Sequence, residues 1–145
     1  MSILGIDYGA KKIGVAKSDE QNNFALPLEI IKNSGKKETL KQLKEICAKE
    51  EINKIVVGIP VSLRAEKRES LFYLKDSGNK QMREVLAFID WLRKNINLPV
   101  EVEDERLTSK LANSLGKGLI KKGSADDVVA AMLILQTYLD KLKNS

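Results

Sequence analysis

The run KIVVGIP, residues 54–60, restricts the fold of this chain more than any other stretch. After Lys54 it is a continuous series of apolar, mostly β-branched residues that closes on Gly-Ile-Pro. Strands that are apolar at consecutive positions are buried on both faces, which is typical of sheets covered by helices. Residues 37–50 and 79–95, which flank this run, have helical periodicity. The run therefore predicts a central strand in a helix-covered sheet.

Three apolar segments precede the first helical pattern and predict consecutive strands at residues 2–7, 12–18 and 23–32. The first two are close enough to pair as a hairpin. Pro27 places part of the third at an edge or a bend, because proline cannot donate to the sheet ladder. Alternating apolar and charged residues predict a further strand at residues 98–105.

The last helix is expected from about Ser124 to Leu142, and a short helix is expected at residues 107–116. Residues 61–79 fit a loop or a loosely packed helix that carries Arg64. Three strands followed by alternating helices and strands predict the α/β class, with a mixed sheet and flanking helices. A length of 145 residues predicts a single domain, residues 1–145.

The composition limits the classes of function. A hydrophobic content of 43% argues against disorder, no apolar stretch approaches the roughly 18 residues of a membrane span, and the N-terminus does not resemble a signal peptide. Cys47, the one cysteine, predicts a buried thiol and a reducing, cytoplasmic setting. The chain contains no histidine, which excludes Ser-His-Asp and Cys-His nucleophile systems and histidine-bound zinc.

Asp7 ends the first predicted strand, within GIDYGAKKIGVAKSD at residues 5–19. In an extended strand Ile3, Gly5 and Asp7 share one face. A charge at the end of a central strand is costly unless it is paired or bound to a metal ion. The alternative is an aspartate whose side chain bonds the following turn.

A second group of acids lies in EVEDER, which begins at Glu101. Strand alternation separates Asp104 from the glutamates on either side of it. We expect Glu101 and Glu103 to be solvated on an edge strand. Asp104 and Glu105 end the strand, where an open sheet presents groups to a ligand.

Asp126 and Asp127 open the last helix. Ser124 and Asp127 have the spacing of a capping box, and acids in a first helical turn are favoured by the helix dipole. Asp127 also shares a helix face with Ala130 and Ala131, whose small side chains would let the helix lie close to the sheet. We therefore expect Asp127 to point at the strand ends and Asp126 to be a cap or a bystander.

Each acid has a structural explanation, but together they meet the needs of a pair of metal ions. Two divalent cations about 4 Å apart need several converging oxygens, and Mg²⁺ or Mn²⁺ prefers carboxylates. Such a pair can activate water and stabilise the leaving oxygen of a phosphodiester, a chemistry that requires no histidine.

Four segments, in order, resemble the YqgF family, also called RuvX, of Holliday junction resolvases and pre-16S rRNA nucleases. They are GIDYGAKKIGVAKSD continuing to ALPLEII, KIVVGIP, DERLTS at residues 104–109, and DDVVAAMLILQTYL. The resemblance implies a ribonuclease H-like fold, with antiparallel strands 1–3 followed by parallel strands. It also implies a Mg²⁺- or Mn²⁺-dependent nuclease with a two-metal site.

The resemblance implies roles for the acids. Asp7 matches the first metal-binding aspartate, and Asp104 and Glu105 match an acidic pair in which Glu105 is the preferred ligand. Asp127 matches the aspartate of the last helix. Asp7, Glu105 and Asp127 are therefore the expected catalytic residues.

A net charge of +5 permits a polyanionic partner without requiring one. If the fold is the one expected, basic side chains would surround the acids and contact nucleic-acid phosphates. The expected members of this rim are Lys11, Lys12, Arg64, Arg106, Lys117, Lys121 and Lys122.

The substrate would be precursor rRNA or branched DNA, and the protein a monomer or a homodimer in the cytoplasm. Two other functions are compatible with the sequence. One is a nucleic-acid-binding domain without catalysis. The other is a nucleotide-binding protein, because GIDYGAKKIGVA also resembles the first phosphate loop of actin-like ATPases and sugar kinases.

Overall fold

The computed structural model describes residues 2–59, 80–104 and 124–144. Within them, five strands form one mixed sheet in the order β3-β2-β1-β4-β5. Their bounds are β1 Ser2–Tyr8, β2 Lys12–Ser18, β3 Ala25–Lys32, β4 Ile52–Ile59 and β5 Val100–Asp104. β1 pairs antiparallel with β2 and β2 with β3, whereas β1, β4 and β5 are parallel. The predicted mixed sheet is confirmed.

The described helices are α1 Lys36–Lys49, α2 Lys80–Asn95 and α3 Ser124–Lys143. α1 and α2 cover one face of the sheet, and α3 covers the other. This arrangement explains why the run in β4 is apolar throughout. Val57 belongs to the core under α1 and α2, while its neighbour Val56 belongs to the core under α3.

α1 and α2 bury the apolar sides that the helical periodicity of the sequence predicts. In α2 the predicted set of Met82, Val85, Leu86, Ile89 and Leu92 is buried, together with Phe88. In α1 the Cys47 thiol is buried as expected, and burial raises its pKa to about 11. A thiol with that pKa stays protonated at neutral pH and packs as a small apolar group.

β3 is the edge strand next to β2, as Pro27 predicted. Ala16 pairs with Pro27, and the register between the two strands shifts between Val15 and Ala16. Proline has no N–H to donate, so it is placed where the ladder is already irregular. The expected helix at residues 107–116 and the segment 61–79 lie outside the described residues.

α3 lies very close to β1. A Cβ atom on Gly5 would be 2.7 Å from Leu135 Cβ and 3.1 Å from the Ala131 carbonyl oxygen. The close approach therefore uses Gly5 and the buried Ala131, whereas Ala130 is only half-buried. In the described part of the chain, we find no helix with the length and apolar character that crossing a bilayer requires.

Candidate active site

The carboxyl ends of the parallel strands β1, β4 and β5 meet at one edge of the sheet. Asp7 is the second-last residue of β1, and Asp104 is the last residue of β5, paired with Ile59 of β4. Two expected acids are thus brought to the same sheet edge, two strands apart. Glu105, which follows Asp104 in sequence, lies outside the described residues.

Asp7 is half-buried. The positions of Tyr8 and Gly5 show on which face of the sheet it lies. Tyr8 packs on the side of α1 and α2, where its ring stacks on Phe88 with the centroids 4.3 Å apart. Because side chains alternate along a strand, Asp7 lies on the opposite side, together with Gly5, which α3 covers. The carboxylate of Asp7 is therefore on the α3 face of the sheet.

The N-terminal end of α3 lies over the same edge. Lys54, near the start of β4, donates a hydrogen bond of 2.9 Å to the Tyr138 hydroxyl, so the C-terminal half of the helix lies toward the amino ends of the parallel strands. The Ala131 carbonyl lies over Gly5. Asp127 is one turn earlier, a rise of about 6 Å, and Asp7 is two strand residues beyond Gly5, about 6.6 Å. The backbone of Asp127 is therefore placed above the end of β1.

The register adds a further acid to this edge. Ile6 pairs with Val57 and Gly58 pairs with Glu103, so Asp7, Gly58 and Glu103 occupy one row across three strands. Glu103 is only 4% exposed, and Lys141 Nζ lies 2.7 Å from both of its carboxylate oxygens, with hydrogen-bond geometry to Oε2. The expectation that Glu103 is solvated is wrong, because α3 covers β5 and supplies a cation.

Glu101 is half-exposed and is also held by α3. It accepts a hydrogen bond from the Tyr138 hydroxyl and pairs with Lys54 at 3.2 Å. The Tyr138 hydrogen bond, followed by the contact with Lys54, lowers the pKa of Glu101. The same network raises the pKa of Lys54. It fixes the C-terminal half of α3 against the amino ends of β4 and β5.

The turn between β1 and β2 is closely packed. A Cβ atom on Gly9 would lie 2.5 Å from the Lys12 carbonyl oxygen, so this position admits only glycine without a shift of the backbone. Asn33 supports the same turn, because its side-chain amide donates to the Gly9 carbonyl at 2.9 Å. These contacts hold the chain directly after Asp7.

Lys11 and Lys12 are exposed at this turn, as predicted, and they border a cleft of about 460 Å³. Lys32 lines the same cleft and pairs directly with Lys12 across β2 and β3. Sequence reasoning missed Lys32, which only the strand register brings beside Lys12. The other expected basic residues, Arg64, Arg106, Lys117, Lys121 and Lys122, lie outside the described residues.

The edge offers the type of ligand that hard divalent cations prefer, because acid-bearing strand and helix ends converge there. This chemistry fits a divalent cation. Among the side chains that the structure describes, no group of three or more potential metal ligands lies together. The location of the candidate metal site is therefore inferred from Asp7 and from the backbone positions of Asp104 and Asp127.

Comparison with protein families gives one match that spans almost the whole chain. The model of the RuvX family, described as Holliday junction resolvase, matches residues 1–141. A protein of Rickettsia peacockii, named "Putative pre-16S rRNA nuclease", is 37% identical over 146 residues, which cover 98% of this chain and 88% of the relative. A protein of Rickettsia bellii with the same name is 38% identical over 144 residues, covering 97% and 86%.

Solved structures share the fold. Thermus thermophilus RuvC in complex with a Holliday junction substrate has a TM-score of 0.59 at 14% identity, covering 99% of this chain and 96% of that chain. The fowlpox virus resolvase in complex with Holliday junction DNA has a TM-score of 0.53 at 15% identity, covering 98% and 99%. These likenesses establish the resolvase-like, ribonuclease H-type fold.

Proposed function

Because the chain belongs to the RuvX family of Holliday junction resolvases, we propose that it is a metal-dependent endonuclease that hydrolyses phosphodiester bonds in structured nucleic acid. The observation that carries the proposal is the convergence at one sheet edge. Asp7 lies next to the end of β1 on the face under α3, and the backbone of the first turn of α3, with Asp127, lies over the same strand end. Precursor 16S rRNA and four-way DNA junctions are the proposed substrates.

Asp7, Glu105 and Asp127 would hold two Mg²⁺ or Mn²⁺ ions. Strand alternation favours Glu105 over Asp104 in this role. Glu101 and Glu103 both bond residues of α3, so the odd-numbered positions of β5 belong to the α3 face, as Asp7 does. Asp104 occupies the alternate register position. The same alternation would give the next odd-numbered residue in the sequence, Glu105, the α3 face.

A bound metal pair would supply activation of the attacking water and stabilisation of the leaving oxygen. The chain's own basic residues would hold the substrate. Lys11, Lys12 and Lys32 line one cleft beside the turn that follows Asp7, where they could contact successive phosphates. Lysines placed directly opposite each other repel, and a phosphate between Lys12 and Lys32 would remove that repulsion.

The test is cleavage of a precursor 16S rRNA fragment and of a four-way junction by wild-type protein and Asp7→Asn. We expect cleavage with Mg²⁺ or Mn²⁺, none in EDTA, and a loss of roughly 10³-fold in Asp7→Asn, which corresponds to several kcal/mol of lost charge stabilisation. Lys41→Ala, an exposed lysine on α1, is the control. Equal cleavage by Asp7→Asn would refute the mechanism.

The same assay separates the alternatives. Tight binding of either substrate in EDTA without turnover in Mg²⁺ would support a binding domain without catalysis. Symmetric cutting of a four-way junction needs two active sites, so junction cleavage would favour a homodimer, and cleavage of the rRNA fragment alone would be compatible with a monomer. We place the protein in the cytoplasm, where both substrates occur.

Nucleotide binding has weaker support. A sugar kinase of Cytophaga hutchinsonii shares the fold with a TM-score of 0.50 at 11% identity, but the match covers 78% of this chain and 39% of that chain. Stabilisation of the protein by millimolar ATP in a thermal melt would revive this function.

A further inference from the structure

A second cleft, of about 360 Å³, lies on the outer side of α2. Five of its residues lie three or four positions apart, or adjacent, on one side of α2, and Lys36, the first residue of α1, closes the cleft from the side. The lining residues are Lys36, Arg83, Ala87, Asp90, Trp91 and Lys94. Trp91 is the only tryptophan of the chain.

Trp91 differs from a core tryptophan in its exposure and in its hydrogen bonding. Its ring is partly exposed, and Lys36 Nζ lies 5.8 Å from the ring centroid. The buried indole N–H has no hydrogen-bond partner among the described residues. Buried tryptophan N–H groups usually have one. Ala87, exposed one turn earlier, leaves open space beside the ring.

The charges of the cleft favour an anionic ligand. Lys36, Arg83 and Lys94 are exposed cations, and Asp90 is the one acid among the lining residues. An aromatic face surrounded by lysine and arginine is the arrangement that binds single-stranded nucleic acid. Bases stack on the ring, and phosphates contact the cations.

The first turn of α2 borders both this cleft and another cleft at the carboxyl edge of the sheet. Arg83 lies in the first turn of that helix, beside Lys80, Gln81 and Glu84, which line a cleft of about 380 Å³ together with Tyr8, Gly9 and Ala10. Those three residues directly follow Asp7. From Arg83 to Trp91 the helix rises about 12 Å. A strand leaving the edge could therefore follow α2 to Trp91.

We infer that this cleft binds a single-stranded segment that flanks the cleaved bond, with one base stacked on Trp91. The inference rests on the proposed nuclease function and deepens it, because it assigns the enzyme a preference for substrates with an unpaired flank. A fully paired substrate would leave the cleft empty.

The test uses the intrinsic fluorescence of Trp91, which has no other tryptophan to obscure it. Wild-type protein in EDTA is titrated with blunt duplexes and with duplexes carrying a single-stranded flank, in RNA and DNA versions, while anisotropy of a labelled strand reports binding. We expect the flanked ligands, and not the blunt ones, to quench Trp91. Binding of flanked ligand without quenching would overturn the inference.

Variants give a second readout. Trp91→Ala should weaken binding of the flanked ligand by about 5- to 150-fold, the range for loss of one stacked base, and leave the blunt ligand unaffected. Trp91→Phe should retain part of the preference, and Arg83→Glu should reduce it while keeping the fluorophore. Lys44→Ala, on the exposed side of α1, is the control.

Two other results would also overturn the inference. If Trp91→Ala weakens flanked and blunt ligands equally, the residue has no role in strand selection. If Trp91 emission shifts with protein concentration alone, a second copy of the chain occupies the cleft. Neither result affects the nuclease proposal, which depends on the Asp7→Asn comparison.

Discussion

A Cβ atom on Gly5 would lie 2.7 Å from the Cβ atom of Leu135, closer than real Cβ atoms approach one another. The contact sets the height of α3 above β1, and with it the height of the Asp127 backbone above the end of the strand that carries Asp7. Any side chain at residue 5 must therefore move the helix or the strand.

We expect Gly5→Ala to reduce the free energy of unfolding by about 1–3 kcal/mol, the usual cost of overpacking. The neighbours of the added methyl group are Leu135 Cβ and the Ala131 carbonyl, which cannot rotate away. Urea denaturation would measure the loss. Under the proposed function, cleavage by the folded variant should also fall. An unchanged stability would contradict the close packing described here.

Removing one lysine of the Lys12–Lys32 pair should raise the stability of the protein and lower its affinity for nucleic acid. Both side chains are exposed and directly opposite across β2 and β3. Lys32→Ala removes the repulsion, so the free energy of unfolding should rise by a few tenths of a kcal/mol, up to about 1 kcal/mol. Nucleic-acid binding should weaken, and the slope of log K against log salt should fall by about 1.

Denaturation and binding titrations at several salt concentrations would measure the two effects, with Lys41→Ala as the matched surface control. A Lys32→Ala protein that binds as tightly as wild type, with the same salt slope, would exclude this cleft from the interface.

Lys141 neutralises the buried carboxylate of Glu103. Removing one partner of a buried pair leaves an uncompensated charge. Because the Lys141 side chain is 57% exposed, water reduces the cost, and we expect Lys141→Met to lose about 1–3 kcal/mol of stability. The double variant with Glu103→Leu should recover most of it, because it buries no charge. A double variant less stable than Lys141→Met would contradict this account.

The ionisation of Glu101 should make the stability of the protein depend on pH. The hydrogen bond from Tyr138, and then Lys54, lowers the pKa of Glu101 from its ordinary value of 4.5. The folded protein therefore favours the carboxylate, and the resulting stability is present above pH 4.5 and lost as pH falls through the lowered pKa. The half-exposed side chain limits the effect to about 1 kcal/mol or less.

Glu101→Gln should therefore be less stable than wild type at pH 7, and the difference should shrink as the pH is lowered below 4.5. Thermal melts of both proteins across this range would measure it. A difference that stays constant, or grows, in acid would show that Glu101 is not held as a carboxylate.

The sequence predicts much of this fold, because local periodicity is sufficient for it. The β-branched run in β4 predicted burial on both faces, which the structure confirms. The position of Asp7 at the end of β1 is also as predicted, and its role in a site stays a prediction. The missed features depend on contacts between distant residues. Glu103 is buried because Lys141, 38 residues later, is brought to it. Lys32 lines the basic cleft because the register between β2 and β3 places it opposite Lys12.

The two alanines of α3 illustrate the same limit. The helical pattern predicted that small residues would allow a close approach, and Ala131 is fully buried as that requires. The pattern did not identify Gly5 as the partner, because a helix and a strand can be juxtaposed at many registers. The roles of Asp7, Glu105 and Asp127 as site residues remain predictions.

The most direct measurement is the anomalous scattering of Mn²⁺ in crystals soaked with that ion. We predict density at the carboxyl edge of the sheet, at the end of β1, with Asp7, Glu105 and Asp127 as protein ligands. Density elsewhere, or no density at this edge under conditions where the protein cleaves its substrate, would contradict it.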